Sequence, residues 1–177
     1  RFAIEELGLD DDMLVIAGDN VLDFSLRKFI SYSIARDSSC IMRYFEPDEK
    51  RLRKCGVVEI DASDRILSME EKPSDPKSHW CCPPFYYYKK DDARLVRKGI
   101  EAGCGTDAPG SFIAWLASIV PVHAMEMPGK LPSPMQRRSP WPISQSTFSS
   151  SGERMAGTLF NMTILLYLIL ELHRMRI

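Results

Sequence analysis

The clearest hydrophobic signal near the start of the chain is residues 13–17, MLVIA, an unbroken apolar run that ends in Gly18. A short continuous run closed by a turn residue predicts a strand covered on both faces, as in a parallel sheet. Before it, Ala3, Ile4 and Leu7 are spaced like the last turns of an amphipathic helix, and Gly8 is its expected stop. After it, Leu22, Leu26, Phe29 and Ile30 recur at helical spacing with Ile34 on the same face, which predicts a helix over residues 22–35. SCIMRYF, residues 39–45, predicts a strand, and the polar EPDEKRLRK an exposed connection. CGVVEID and RILSMEEKP predict two strands around the turn ASD. FYYYKK is aromatic and β-prone and predicts another strand. DDARLVRKGIEAG predicts a helix from Asp91 or Asp92 to Gly103. SFIAWLASIV predicts an apolar helix behind the breakers Asp107, Pro109 and Gly110, and VHAMEM a strand before Pro128 and Gly129. Strands alternating with helices argue for an α/β sheet with helices on its faces.

From Lys130 the pattern stops. KLPSPMQRRSPWPISQSTFSSSGERM is rich in serine and proline, keeps no period, and predicts a loop or disordered segment. The apolar TLFNMTILLYLILEL that follows, residues 158–172, falls short of the ~20 residues a bilayer-spanning helix needs, and Asn161 and Thr163 interrupt it. The domain boundary is therefore placed at residue 129, with residues 130–177 an atypical tail. Charge changes there too. Residues 1–129 hold 17 basic and 22 acidic residues, whereas the tail holds 6 basic and 2 acidic. The whole chain carries a net charge of −1, which argues neither for nucleic acid nor for an anionic membrane as partner.

Cys40, Cys55, Cys81, Cys82 and Cys104 contain no Cys-x-x-Cys pair, and adjacent cysteines seldom bond to each other. Free thiols in a reducing, cytoplasmic setting are expected. His79 beside Cys81 and Cys82 lacks zinc-type spacing and a second pair of ligands. Phosphate loops of the G-x-x-x-x-G-K-[ST] or G-x-G-x-x-G type and a G-x-S-x-G elbow do not occur in the sequence.

Four places could carry chemistry. Asp19 follows the strand at residues 13–17, on the side where open α/β sheets bind ligands. There it could hold a hard cation such as Mg²⁺, or cap the next helix and turn with Asn20. In MEEKP, Glu71 could accept from sugar hydroxyls and Lys72 could meet a phosphate, or both could belong to a solvated charge cluster. They are expected on opposite sides of the strand that Pro73 ends. Gly56 could mark close backbone approach to a ligand, or a bend. Tyr86, Tyr87 and Tyr88 could wall a sugar or base, or fill a core and an edge.

The order LVIAGDN, GVVEID, MEEKP, FYYYKK and DAPGSFIAWL resembles the sugar-1-phosphate nucleotidyltransferases, most nearly the glucose-1-phosphate thymidylyltransferases and their uridylyl relatives. The resemblance covers about residues 1–129. It implies an incomplete Rossmann-like nucleotide-diphospho-sugar transferase fold. It also implies a reaction in which the oxygen of a sugar 1-phosphate, such as glucose 1-phosphate, attacks the α-phosphate of a nucleoside triphosphate, dTTP or UTP. An NDP-sugar forms and pyrophosphate leaves, with Mg²⁺ offsetting phosphate charge. By motif match, Asp19 looks like a metal ligand, and Gly56, Glu71, Lys72 and Tyr86 look like sugar-phosphate contacts.

The departures from the family pattern are specific. The glycine-rich G-G-x-G-T-R-L segment with its catalytic arginine, and a K-P segment with its lysine, would both precede Arg1. The D-I-G or D-T-G segment that completes the metal site is expected after MEMPGK, where this chain has LPSPMQRRSPW, and Asp107 is the last aspartate. The expectation is an N-terminally truncated piece of such an enzyme, with an unrelated tail from a reading-frame change near Lys130 and little turnover. The alternative is a non-catalytic sugar-phosphate-binding module kept for contacts in a homo-oligomer.

Overall fold

A computed structural model describes residues 2–6, 8–17, 24–106 and 108–128. Asp19, the boundary at residue 129 and the whole tail lie outside the described residues. The elements, in chain order, are α1 (Phe2–Glu6), β1 (Met13–Ile16), α2 (Arg27–Arg36), β2 (Ser39–Phe45), α3 (Glu49–Leu52), β3 (Gly56–Ile60), β4 (Ile66–Glu71), β5 (Trp80–Cys82), β6 (Phe85–Tyr88), α4 (Lys90–Ala93), α5 (Val96–Glu101), α6 (Pro109–Ala117) and β7 (Val122–Glu126).

Seven strands make one sheet in the order β1-β6-β2-β5-β3-β4, with β7 paired to the other edge of β2. The β2–β7 ladder is parallel, from Ser39 opposite Val122 to Arg43 opposite Glu126. The other five ladders are antiparallel. β1 therefore differs from its expected parallel pairing: Met13 to Ile16 lie antiparallel to Tyr88 to Phe85. The reason lies in what covers the strand. Alternate residues of the sheet enter two separate cores: Val15, Ile41, Tyr86 and Ala124 pack with Ile113 and Leu116 of α6. Leu14, Cys40, Phe85 and Tyr87 pack with Phe29 of α2. A strand covered on both faces reads as a continuous apolar run whichever way its neighbour points.

β5 and β6 act as one antiparallel partner of β2 interrupted by Pro83 and Pro84. Trp80 and Cys81 pair with Phe45 and Tyr44, and Tyr86 and Tyr87 with Ile41 and Cys40. Proline offers no N–H to a ladder, and at this pair the outer neighbour changes from β3 to β1. The Pro84 carbonyl accepts from Ala17 N at 3.2 Å, and the Pro83 carbonyl from Phe85 N at 2.7 Å.

Several sequence expectations are refined. Gly8 does end α1, at φ +58°, with Leu9 N donating to the Ile4 carbonyl at 3.0 Å. Ile34 leaves the predicted apolar face and is 60% exposed. Ser33 is the inward residue instead, its hydroxyl donating to the Phe29 carbonyl at 3.0 Å. The connection EPDEKRLRK contains α3, capped by Asp48, whose side chain accepts from Lys50 N at 2.9 Å. The helix expected up to Gly103 is broken in two at Arg94 and Leu95. Gly103 ends the second part at φ +89°. Pro109 and Gly110 open α6 rather than precede it, since proline is preorganised for the first helical position.

The β3–β4 hairpin closes through Asp61. Its Oδ1 accepts from Ser63 N and Oγ, each at 2.7 Å, and from Arg65 N at 3.0 Å. Asp64 sits at φ +66°, a conformation aspartate tolerates. Its carboxylate pairs with Arg43 Nη1 at 2.8 Å, and Ala124 N donates to its carbonyl at 2.8 Å, so the hairpin tip is tied to β2 and β7.

Candidate sugar-phosphate corner

β3 and β4 pair so that Gly56 lies opposite Glu71. The absence of a side chain at residue 56 leaves room for the one across from it: a Cβ built on Gly56 would meet Met69 Cε at 3.0 Å and Glu71 Oε1 at 3.2 Å. From the other side, α6 offers a second glycine to the same carboxylate. A Cβ on Gly110 would stand 2.0 Å from Glu71 Oε1 and 2.5 Å from Met69 Cε. The carboxylate thus occupies the space where a side chain of the first α6 turn would begin. That turn also has no side-chain cap from Ala108. The start of a helix carries partial positive charge, so a carboxylate is favourably placed there.

Lys72 departs from the strand immediately afterwards. β4 ends at Glu71, and Lys72 takes φ +48° while its N–H donates to the Cys55 carbonyl at 2.9 Å. This left-handed step, rather than Pro73, stops the strand. Glu71 is half-buried and Lys72 is exposed, so the pair presents a sheltered acceptor and an outward cation from adjacent positions.

Tyr86 is a core residue, 3% exposed, with its ring stacked on Tyr88 at 6.1 Å. Burial pushes its hydroxyl well above the usual tyrosine range, and the thiol of Cys82, the Glu71 carboxylate and Tyr88 add to the shift. The hydroxyl therefore keeps its proton. Burial, with a contribution from Glu71, also raises the Cys82 thiol. Tyr86 backs the corner from below rather than forming an open wall. Tyr88 continues the aromatic layer to Phe112, at 5.5 Å, and Phe112 to Trp115, at 5.8 Å.

Three of the four sugar-phosphate candidates, Gly56, Glu71 and Lys72, thus come together at one end of the hairpin. Gly110 and Met69 complete the corner and were not singled out from the sequence. A glycine directly behind a proline at a helix start was a usable signal, because glycine inside a helix costs stability relative to alanine and needs a packing reason. Among the described residues, no three His, Cys, Asp or Glu side chains are grouped to hold a metal ion. His79 instead places Nδ1 2.9 Å from the Glu46 carbonyl and stacks on Phe45 at 5.4 Å. The described cysteines are free thiols. No helix among the described residues is long and apolar enough to cross a membrane.

A mixed, largely antiparallel sheet with helices on both faces is an α/β architecture, the one that the nucleotide-diphospho-sugar transferases share. The UTP-bound UGPase of Acinetobacter baumannii shares this fold, with a TM-score of 0.59 at 20% identity, over 72% of this chain and 47% of that one. The nucleotidyl transferase family profile matches residues 1–102, more than half of the 177 residues, and the chain belongs to that family. The glucose-1-phosphate thymidylyltransferase of Mycolicibacterium smegmatis (strain ATCC 700084 / mc(2)155) is 35% identical over 79 residues, which are 42% of this chain and 25% of that protein. Glucose-1-phosphate adenylyltransferase 1 of Vibrio parahaemolyticus serotype O3:K6 (strain RIMD 2210633) is 26% identical over 73 residues, 41% of this chain and 18% of that protein. The chain thus matches a quarter or less of the length of these curated relatives.

Proposed function

We propose that this chain carries the sugar-phosphate-binding part of a sugar-1-phosphate nucleotidyltransferase. In this reading Glu71 accepts hydrogen bonds from sugar hydroxyls, and Gly56 leaves the room in which that carboxylate sits. Lys72 meets the phosphate as a point charge. Tyr86 supports the corner without touching solvent. The sugar phosphate oxygen attacks the α-phosphate of dTTP or UTP, pyrophosphate leaves, and an NDP-sugar forms. Asp19 is, in the same reading, one ligand of a Mg²⁺ ion that offsets phosphate charge.

One observation carries the proposal: the Glu71 carboxylate is lodged between Gly56 and Gly110, next to an outward Lys72. Two glycines facing one carboxylate fix an acceptor in a place that any larger residue would fill. The chain contains no G-G-x-G-T-R-L segment, so binding of the sugar phosphate without turnover is expected of this chain alone.

Titration calorimetry with glucose 1-phosphate tests the reading. Measurable binding is expected, weakened in both Glu71→Ala and Lys72→Ala. Absence of any heat at millimolar ligand overturns it. Release of pyrophosphate from dTTP or UTP well above background would contradict the expected lack of turnover.

A further inference from the structure

The two oxygens of Glu71 are not equivalent. Oε1 is the carboxylate atom nearest the Cβ positions of both Gly56 and Gly110, at 3.2 and 2.0 Å, with Cδ behind it at 3.4 and 3.1 Å. Oε2 is not among the three nearest atoms at either glycine. One oxygen is thus lodged between the glycines, and the other is turned away from both. The third atom in the gap is the ε-methyl of Met69, 3.0 Å from the Gly56 position and 2.5 Å from the Gly110 position. The methyl and Oε1 are therefore no more than about 4.5 Å apart, which is contact. Met69 precedes Glu71 by two positions on β4 and so shares its face of the sheet. Its ladder partner is Val58, whereas Gly56 lies opposite Glu71. The side chain must therefore lean along the strand to bring its tip to the place that a side chain at residue 56 would take. An unbranched thioether has the length and the torsional freedom for that. Met69 also packs against the core that contains Ile113 and Leu116 of α6.

We propose that Met69 is a positioning residue for Glu71: its methyl packs against Oε1 and holds the carboxylate so that Oε2 receives the sugar hydroxyls, a role that rests on the proposed binding of the sugar at Glu71. The terminal torsion of a glutamate is broad, so its carboxylate turns unless something fills the space beside it. Here the glycines open a gap that takes one oxygen, and the Met69 methyl fills what is left of it. A methyl has no hydrogen to donate. It therefore neither competes with a sugar hydroxyl for the carboxylate nor draws the carboxylate inward. It keeps water from that side of the oxygen, and a hydrogen bond accepted away from water is electrostatically stronger. Met69 has no polar contact to offer a sugar and acts on it through Glu71. The same pairing gives a reason for glycine at both positions 56 and 110. A side chain at either would meet the methyl and the oxygen together.

Two measurements on the full chain test this role. The first is read on the unmutated chain, with the methionine ε-methyls labelled with carbon-13. The Met69 methyl should show cross-peaks to the α protons of Gly56 and Gly110, and its signal should move as glucose 1-phosphate is added. A methyl that lacks those cross-peaks, or that does not move at saturation, overturns the proposal even where a variant fails to fold. The second is a calorimetric cycle with glucose 1-phosphate. Met69→Leu keeps the volume but removes the ε-methyl. It should weaken binding roughly tenfold, the low end of what a hydrogen bond to a charged group contributes, with little change in the urea midpoint. In the Glu71→Ala background the same substitution should cost binding nothing further. A full loss in that background overturns the proposal, because Met69 would then act on the ligand without Glu71. Heat from the parent and equal affinity in Met69→Leu defeat the role of Met69 alone. Absence of heat from the parent defeats the binding reading, and the role of Met69 with it.

Discussion

Gly110→Ala is a one-carbon test of the corner. The added Cβ would meet Glu71 Oε1 at 2.0 Å and Met69 Cε at 2.5 Å, both well inside any real contact. Both atoms are the far ends of flexible side chains, so the backbone can stay and the side chains must move. Overpacking of this kind costs about 1–3 kcal/mol. Alanine in place of glycine within a helix returns up to about 1 kcal/mol. The net loss of stability is therefore about 0–2 kcal/mol, small enough for the variant to remain folded. The loss of binding should be larger. A hydrogen bond to a charged group contributes about 1.5–3 kcal/mol, which at 1.4 kcal/mol per decade is roughly a 10- to 150-fold loss of affinity. Urea unfolding and calorimetry with glucose 1-phosphate read the two effects separately. A double-mutant cycle sharpens them: once Glu71→Ala has removed the carboxylate, Gly110→Ala should cost binding nothing further. A Gly110→Ala variant that binds glucose 1-phosphate as tightly as the parent would refute the assignment of Glu71 to the ligand.

Other substitutions test the frame around the corner. Asp64→Asn removes the charge that faces the nearly buried Arg43 at 2.8 Å while keeping an acceptor and a residue tolerant of φ +66°. It should cost about 1 kcal/mol in urea unfolding, and Asp64→Ala about 1–3 kcal/mol, because the left-handed backbone then adds its own penalty. Equal costs for the two would show that the ion pair, not the backbone, sets the loss. His123 is held below its ordinary pKa, first by burial and then by Arg36. The unfolded chain therefore takes up that proton at a higher pH than the folded one. Stability from this group is complete above the unfolded value of about 6.5 and falls as the pH drops through the window beneath it. Thermal unfolding at a series of pH values should show that fall reduced in His123→Gln. Gly8→Ala meets nothing within 4 Å, so its cost is the φ +58° backbone alone, about 1–2 kcal/mol at most. Hydrogen exchange at Leu9 N, which the turn protects, should report it even where α1 opens locally.

How much of this was legible in the sequence depends on what each pattern encodes. β2 and β7 were readable because their apolar runs are bounded by turn residues. β5 was not: Trp80–Cys82 is a strand of three residues, shorter than any periodicity can reveal, and its pairing on both edges is set by β2 and β3. Burial of β1 was encoded, but its direction was not, since helices on both faces produce the same run in either orientation. The split between α4 and α5 left no signal, because DDARLVRKGIE keeps helical composition across Arg94 and Leu95. Glu71 and Lys72 were identifiable as a motif, yet what distinguishes them arises from tertiary structure. Gly110 lies 39 positions after Glu71, and no local rule links the two. Tyr86 illustrates the converse. Three consecutive tyrosines give alternate faces, but all three prove buried because both faces are covered.

The two prolines at the centre of the sheet explain why the corner opens where it does. β2 needs a partner along its whole length, and residues 80–88 supply one that runs past Pro83 and Pro84. Neither proline can donate to a ladder, so no strand can continue across them on the outer edge. β1 comes up to the pair from one side, with Ala17 bonded to the Pro84 carbonyl. β3 begins on the other side, with Gly56 opposite Cys82. The sheet therefore forks, and two strand ends face each other across the fork instead of hydrogen-bonding. Ala17 is the last described residue before Asp19, the proposed cation ligand, and Gly56 opens the proposed sugar-phosphate corner. The proline pair in a central strand thus leaves a gap between the end of β1 and the start of β3, at the cost of the ladder hydrogen bonds that an uninterrupted strand would have made.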